Sequence, residues 1–401
     1  MVATFLGRLT PSAIAVGAAA AIARFGWLLP QLFAANYAQG VRYRKPIYLL
    51  GAGGRAIALG CLAVVLLWST GLHGSYFAAL TLFFTLWTVF SFISGLSGAA
   101  YNDVIGRAIP SEWRSRLLAT RLFVGGGLAV VAGLLIRRIL HASAEAPLQP
   151  YGLIFGAGAV VLALSTLCFA VIREPAAPVG PSRPSFQIFL REGRRVLRHD
   201  PRFRLFLYAQ LLGGVTKMAI PFYIVQARQV GGLHEMEVGT LLAAQAVGGI
   251  AFNPLWGWWG DRRGKLSLLK VLALSSGISP LLAIVLASSA LPPSAVVAGY
   301  AVVFFFVGAT VSGEIIGDLG FLMEISPDDR RPEYSGYMNA LVAPSRLLPL
   351  VGGVLLEVLS FQFLFAVAAG AALLARLAVL RNLGRMSAGP SEIDSAGAAP
   401  P

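Results

Sequence analysis

Residues 257–265 read Gly-Trp-Trp-Gly-Asp-Arg-Arg-Gly-Lys and stand between two long apolar stretches. Gly260 and Gly264 permit a tight turn, because glycine reaches backbone conformations that other residues avoid. Asp261 can cap or pair at a neighbouring helix end. The three basic residues suit the anionic inner face of a membrane. The stretch therefore predicts a short cytoplasmic loop between two membrane-spanning helices.

The composition of the whole chain indicates a polytopic membrane protein. Its 401 residues are 57% hydrophobic and 12% charged, about half the charged share of a soluble domain. So much apolar surface excludes a disordered chain. Cys61 and Cys168 lie inside apolar runs, and the four histidines are scattered without a metal-ligand spacing. We therefore expect no disulfide framework, no metal site and no cofactor.

The apolar stretches predict the membrane spans. A helix needs about 20 apolar residues to cross a bilayer, and it must be a helix because lipid offers no hydrogen-bond partner to an exposed backbone. The sequence therefore predicts an all-α polytopic membrane fold. Eleven spans are expected, at 12–36, 47–71, 76–100, 117–136, 151–172, 205–226, 237–257, 267–290, 295–323, 334–355 and 358–380.

The basic residues predict the orientation of these helices, because cytoplasmic loops are rich in Lys and Arg. With residues 37–46 inside, the inner segments hold 22 Lys and Arg residues and the outer segments hold four. We therefore attribute the net charge of +14 to membrane topology and not to nucleic-acid binding. The C-terminus is expected in the cytoplasm and the N-terminus outside.

The longest connection, 173–204, divides the chain. It begins with a proline-rich stretch and continues into Phe186–Arg198, whose apolar residues recur at roughly helical spacing opposite a basic face. This pattern predicts an amphipathic helix lying on the cytoplasmic lipid surface. We expect a bundle of five spans in 1–172, a bundle of six in 205–385 and a disordered tail in 386–401.

The 257–265 motif resembles the loop motif of the major facilitator superfamily. That motif is Gly, three residues, Asp, Arg, one residue, Gly, and then Arg or Lys. The resemblance implies two bundles of six helices. It also implies that this second-half loop is a gate that pairs the two bundles in the outward-open state. The gating residues would be Gly257, Gly260, Asp261, Arg262, Arg263, Gly264 and Lys265.

The chain departs from the family pattern at its start. Members have twelve helices with both ends cytoplasmic, and the first-half loop motif follows their second helix. The corresponding stretch here, 35–46, follows the first predicted span and has no Asp at the motif position. We therefore expect that the first family helix is missing and that residues 2–10 are its outer end. A truncated chain or a misassigned start codon would explain this.

Charged residues inside spans are the candidate functional residues, because a charge in a membrane is costly and usually serves a function. They are Arg24, Lys217, Glu314, Arg346 and Asp318, which lies one turn from Glu314. They could line a central cavity and contact a solute or protons. Alternatively, Glu314 could form an interhelical ion pair with Lys217 or Arg346. The excess of positive charge favours an anionic or zwitterionic solute.

Three other arginines within spans are interpreted differently. Arg55, Arg121 and Arg376 lie within about two helical turns of the predicted inner surface. Long basic side chains near helix ends extend their charged groups to the interface. We expect that behaviour of all three, and they are not among the candidate site residues.

These features predict a secondary active transporter that moves a small solute by alternating access. The chain has no GxxxxGK[ST] phosphate-binding loop, so an ion gradient or the gradient of the solute itself must drive it. Glu314 is the candidate for proton coupling, because burial can bring a carboxylate into the physiological range. A predominance of Arg over Lys, with much Ala and Gly, is typical of GC-rich bacterial genomes. The expected location is therefore a bacterial inner membrane.

Two alternatives to transport stay open at this point. The missing helix is compatible with a truncated or non-transporting relative of the fold, for example a sensor. A membrane-embedded lipid-modifying enzyme is a remote alternative, because it needs a nucleophile with a base or a metal cluster. Neither constellation is evident in the sequence, and we do not expect an enzyme.

Overall fold

A computed structural model describes most of the chain, and its regular structure is helical there. The described residues are 1–39, 41–68, 76–108, 111–142, 148–174, 176, 186–231, 235–289, 291–327 and 331–387. Up to the long connection the helices are α1 (Val2–Leu9), α2 (Ala13–Gln39), α3 (Lys45–Leu67), α4 (Tyr76–Ala108), α5 (Ser111–Ala142) and α6 (Gln149–Ala170). After it come α7 (Phe186–His199), α8 (Pro201–Lys217), α9 (Ile220–Gly231), α10 (Glu235–Arg262), α11 (Lys265–Ser288), α12 (Pro293–Ile325), α13 (Arg331–Val342), α14 (Leu348–Val358), α15 (Phe361–Gly370) and α16 (Leu377–Ser387).

Among the residues searched, ten helical stretches are long and apolar enough to cross a membrane. They coincide in position with ten of the predicted spans. The remaining span, 12–36, falls in α2, of which only Ala13–Leu28 qualifies, as a shorter apolar helix. The predicted count of eleven is therefore not confirmed, because side chains beyond that point of α2 are outside the description. Most of the predicted tail 386–401 is outside it too, while Met386 and Ser387 end α16.

Three of the predicted spans are interrupted helices. The span at 205–226 is formed by α8 and α9, which meet just before Pro221. A 3₁₀ segment, Ala343–Leu347, separates α13 from α14 and contains Pro344. Proline lacks a backbone N–H and clashes with the preceding turn, so it interrupts a regular helix. A π-helical segment, Ala371–Arg376, separates α15 from α16.

The two sets of helices, before and after the connection, meet along α2 with α14 and along α5 with α10. The helices approach closely because glycines of one helix face the backbone of the neighbouring helix. A Cβ at Gly353 would lie 2.6 Å from the Ala13 carbonyl oxygen, and one at Gly17 would overlap the Pro349 carbonyl. On α5, a Cβ at Gly133 would lie 2.9 Å from the Ala243 nitrogen. Small residues permit this approach between helices in membranes.

The connection helix α7 packs against protein on one face. Val196 is buried and shares a core cluster with Phe203 of α8 and Tyr337 of α13. A Cβ at Gly193 would lie 2.8 Å from the Tyr337 ring. The prediction that this helix lies on lipid is therefore wrong for the face that bears Gly193 and Val196. Its exposed face carries Arg191, Arg194, Arg195 and Arg198.

Candidate functional site

Glu314 is the centre of a buried cluster of charged side chains. It lies on α12 and is 3% exposed. Its Oε2 is 2.8 Å from Nζ of Lys217, the last residue of α8. Its Oε1 accepts a hydrogen bond from Nη1 of Arg376 at 2.5 Å. The interhelical ion pair with Lys217, one of the alternatives considered for Glu314, is therefore present, and a second cation was not anticipated.

Arg376 is the residue that sequence reasoning missed. The expectation that it extends to the inner surface is wrong, because its side chain is 1% exposed and bound to Glu314. Arg376 ends the π-helical segment, and π-helical turns are frequent at functional sites. Gly213 of α8 makes room for it, since a Cβ there would lie 3.2 Å from its Cζ. The signal available in the sequence was a single charged residue, Arg376, inside the apolar stretch 358–380.

Asp318 lies one turn beyond Glu314 on α12 and approaches the same arginine. Its Oδ1 is 3.9 Å from Nη2 of Arg376. That distance is too long for a hydrogen bond, and Oδ1 is buried without a hydrogen-bond partner in the described part of the chain. Arg376 is therefore shared unequally between two carboxylates on successive turns of one helix. The predicted pairing of Glu314 and Asp318 on one helix face agrees with this geometry.

Arg24 and Arg346 are the two predicted cations that have no carboxylate partner. Arg24 is an exposed side chain on α2, and Arg346 is half-buried in the 3₁₀ segment. The charge of Arg24 interacts with those of Arg346 and Glu314, and the charge of Arg346 interacts with those of Asp318 and Glu314. Within the described chain, neither forms an ion pair shorter than 4.0 Å. Two cations, one from each set of helices, therefore lie within the predicted spans without a direct carboxylate contact in the described residues.

A small cavity of about 30 Å³ opens beside Glu314. Lys217 and Glu314 line it together with the hydroxyl-bearing residues Ser276, Ser279 and Thr310. The Thr310 hydroxyl is buried and has no hydrogen-bond partner among the described atoms. A buried polar group is usually satisfied by protein or by ordered water. The cavity is therefore polar enough to hold water next to the ion cluster.

The 257–265 loop forms a compact unit of its own. Lys265 Nζ is 2.7 Å from Asp261 Oδ1, and the Asp261 side chain is 77% exposed. Gly264 has φ +82°, a conformation that favours glycine, so it makes the turn between α10 and α11. Gly260 was predicted to form part of the turn, but it lies inside α10. A Cβ there would be 3.1 Å from Nζ of Lys265, so this glycine leaves room for the lysine side chain.

Three of the other motif residues have these surroundings. Arg263 stacks its guanidinium 5.0 Å above the Trp259 ring, and Arg262 is the last residue of α10. Gly257 has open space where a Cβ would be. The structure thus places the seven predicted gating residues together at one end of α10, apart from the cluster around Glu314.

Similar proteins were identified by sequence and by structure. The model of the Major Facilitator Superfamily matches residues 1–348 and 232–400. Uncharacterized protein Rv2209 of Mycobacterium tuberculosis and Uncharacterized protein Mb2232 of Mycobacterium bovis are each 26% identical over 195 residues. That match covers 48% of this chain and 37% of each relative, so the chain spans little more than a third of these curated relatives.

Solved structures show the same fold at low sequence identity. A point mutant of the nucleoside transporter NupG is 14% identical with a TM-score of 0.69, over 96% of this chain and 94% of that one. A bacterial homologue of the iron transporter ferroportin, in an inward-facing state, is 16% identical with a TM-score of 0.62, over 95% and 98%. A POT family transporter in complex with 5-aminolevulinic acid is 12% identical with a TM-score of 0.63, over 95% and 96%.

The family match and the fold agree with the membrane-spanning helices. The family model extends over nearly the whole chain, and the solved structures share its fold. Ten apolar helices make the chain an integral membrane protein. The chain therefore belongs to the Major Facilitator Superfamily of membrane transporters.

Proposed function

We propose that the chain is a secondary active transporter that moves a small anionic solute by alternating access. The observation that carries this proposal is the pair of cations Arg24 and Arg346 inside the spans, neither of which has a carboxylate within 4.0 Å among the described residues. One lies on α2 and the other in the segment between α13 and α14. An anion between them would contact both sets of helices at once.

The charge of the cluster supports an anionic solute. Four cations, Arg24, Lys217, Arg346 and Arg376, surround two carboxylates, Glu314 and Asp318. Glu314 contacts Lys217 and Arg376, and Asp318 lies 3.9 Å from Arg376, so the two carboxylates together balance two of the four positive charges. An uncompensated charge inside a membrane is expensive, so a cation there favours a counter-ion. The two remaining arginines would obtain that counter-ion from the solute.

The packing between the two sets of helices supports an inward-facing state. The close contacts of Gly17 and Gly353 lie toward the predicted outer ends of α2 and α14. At those ends Glu357 Oε1 also accepts a hydrogen bond from the Ile14 backbone N–H at 3.2 Å. Asp261, at the predicted inner ends, is exposed and pairs within its own loop. In the alternating-access scheme the outer contacts open when the inner ends close.

The location and the coupling ion are part of the proposal. The distribution of basic residues supports a bacterial inner membrane with a cytoplasmic C-terminus. One structural relative is a nucleoside transporter and another is a transporter in complex with 5-aminolevulinic acid, which supports a small solute without naming it. Proton binding to Glu314 would remove the negative charge that attracts Lys217 and Arg376. Any proton coupling at this carboxylate would therefore change the balance of charge around both cations.

The proposal is tested by anion flux in proteoliposomes. We would measure currents after concentration jumps of phosphate, glutamate, methanesulfonate and hexanesulfonate, because sulfonates stay ionised and do not leak through lipid as neutral acids. We expect a saturable response to at least one anion and none to hexylamine. Arg346→Gln should lower the response at least tenfold, whereas Arg121→Gln, at an exposed arginine of α5, should not change it.

Two results would overturn this function. One is the absence of a saturable response to any anion, and the other is full activity of Arg346→Gln. Saturable binding of an anion without any flux would instead support the alternative of a non-transporting relative of the fold.

A further inference from the structure

One face of α14 follows the beginning of α2 over three successive turns. Pro349, Gly353 and Glu357 are spaced by four residues on α14, so they lie on one face of that helix. Pro349 lies against Gly17 of α2, and Gly353 lies against the Ala13 carbonyl. Residues that come later in α14 thus meet residues that come earlier in α2. The third turn brings Glu357 to the point where α2 begins.

Glu357 supplies a hydrogen-bond acceptor at the beginning of α2. Its Oε1 accepts a hydrogen bond from the Ser12 hydroxyl at 2.5 Å and another from the Ile14 backbone N–H at 3.2 Å. Because α2 begins at Ala13, the Ile14 N–H is one of the four amides at a helix start that have no partner within the helix. A carboxylate of the second set of helices therefore caps a helix of the first set.

A helix is ordinarily capped by the residue that precedes it. Serine suits that position, because its side-chain oxygen can accept a hydrogen bond from an amide two or three residues later. In this structure the Ser12 hydroxyl donates to Glu357, and the carboxylate accepts from the amide of α2. The beginning of a helix also carries partial positive charge, which a carboxylate complements. The cap of α2 therefore depends on the position of α14.

From these contacts we infer that Glu357 is a gating residue, which holds the two sets of helices together at the predicted outer end. Its hydrogen bonds to α2 exist only while α2 and α14 are packed at that end, so it stabilises that state alone. An interaction made in one of two states shifts the equilibrium between them by its own free energy. The inference rests on the proposed alternating access. It adds a residue that sets the balance between the inward-facing and outward-facing states.

The exposure of Glu357 determines the size of the expected effect. Its side chain is exposed, so water can replace its hydrogen bonds when the helices separate. Its contribution is therefore that of a helix cap and not that of a buried ion pair. Loss of a cap changes an equilibrium constant by about fivefold. The close packing of Gly17 and Gly353 does not involve this side chain, so we expect variants of Glu357 to fold.

Distances between spin labels at both ends of the molecule test the inference. The two native cysteines are exposed and are first replaced by serine. Trp68→Cys, at the end of α3, and Ser288→Cys, at the end of α11, carry the pair of labels for the predicted outer end. Val171→Cys, after α6, and Met386→Cys, in α16, carry the pair for the inner end. All four positions are exposed. Pulsed electron paramagnetic resonance of the full chain in lipid nanodiscs then gives the distance distribution of each pair.

Variants of Glu357 should shift both distance distributions in opposite directions. Glu357→Ala should raise the ratio of outward-facing to inward-facing molecules about fivefold, with longer distances in the outer pair and shorter distances in the inner pair. Glu357→Gln should raise it about twofold, because the amide oxygen still accepts hydrogen bonds but carries no charge toward the helix start. Val358→Ala, at a neighbouring side chain that is 76% exposed, is the matched control and should change neither pair.

Failure of the inference differs from failure of the proposed function. Unchanged distributions in Glu357→Ala would overturn the inference alone. So would a change in the outer pair without a change in the inner pair, because a cap that only orders the start of α2 acts locally. If both pairs respond as expected but no anion is transported, the inference holds and the transport function fails. A single distance at each pair in the parent chain and in every variant would overturn alternating access together with the inference.

Discussion

Two lysine–carboxylate pairs in this molecule have nearly the same N–O distance, but one carboxylate is buried and the other is exposed to solvent. Lys217 Nζ is 2.8 Å from Glu314, whose side chain is 4% exposed. Lys265 Nζ is 2.7 Å from Asp261, whose side chain is 77% exposed. Charges attract more strongly in a low-dielectric interior, but their removal from water also costs more there. The N–O distance alone therefore does not indicate how much an ion pair contributes to stability. Its exposure to water must be considered as well.

The buried pair also belongs to a larger cluster of charged side chains, and the exposed pair does not among the described residues. Glu314 binds Arg376 as well as Lys217, and Arg376 approaches Asp318. Removing one member of such a cluster leaves its partners charged and buried. The loop pair has water as an alternative partner for both of its members. We therefore expect large effects from the first region and small effects from the second.

Glu314→Ala should have the largest effect. It leaves Lys217 and the fully buried Arg376 without their main counter-ion, and breaking a buried pair costs about 3–5 kcal/mol. We expect a large fall in melting temperature, measured by scanning fluorimetry in detergent. Glu357→Ala, at an exposed carboxylate of α14, is the control and should lower it less. A Glu314→Ala variant as stable as the parent chain would contradict the buried-cluster interpretation.

Gly213→Val should come next. A Cβ at Gly213 lies 3.2 Å from the Arg376 guanidinium carbon, so two added methyl groups must displace it or the helix. Overpacking of this kind costs roughly 1–3 kcal/mol. The measurement is the melting temperature, with Gly125→Val, which has open space on α5, as the control. Equal losses from both variants would show that valine in the helix, and not contact with Arg376, is the cause.

Arg346→Gln should change stability little although it removes a charge in the membrane. Arg346 forms no ion pair shorter than 4.0 Å within the described ranges, and its repulsion from Arg24 opposes its longer-range attraction to Asp318 and Glu314. We expect a change within about 0.5 kcal/mol, alongside the loss of anion response proposed above. A destabilisation comparable to that of Glu314→Ala would mean that Arg346 is a structural member of the cluster.

Asp261→Asn should have the smallest effect on stability. Exposed ion pairs contribute about 0–1 kcal/mol, and Asp261 is mostly exposed. We expect an unchanged melting temperature at high salt and a marginal decrease at low salt, since salt screens exposed charges. If the loop is a gate, transport by this variant should fall while its stability does not. A large loss of stability would show that the loop is part of the packed structure.

Much of the fold was predictable because it follows from local properties. Ten of the eleven predicted spans coincide with apolar helices of membrane-spanning length, because hydropathy and length are properties of a single segment. The 257–265 loop was predictable for the same reason, and Gly264 has the positive φ that the turn needs. The interruptions of three spans were not predicted, although Pro221 and Pro344 are visible signals.

The candidate site was predictable in part. Arg24, Lys217, Glu314, Asp318 and Arg346 were singled out as charges in spans, and their charges do interact. Arg376 was misassigned, because its distance from the helix end favoured the interface and only the fold brings it to Glu314. The connection helix was misassigned on one face, because amphipathic spacing does not distinguish lipid from a neighbouring helix.

The sequence by itself determined that this chain crosses a membrane repeatedly, how its basic loops favour one orientation, and which family motif it carries. Each of these follows from the composition of one segment at a time. Only the tertiary structure decided which of the described cations lie within ion-pair distance of a carboxylate, and that a small cavity adjoins Lys217 and Glu314. The physical reason is that pairing and enclosure depend on distances between helices far apart in the chain. Hydropathy does not encode those distances.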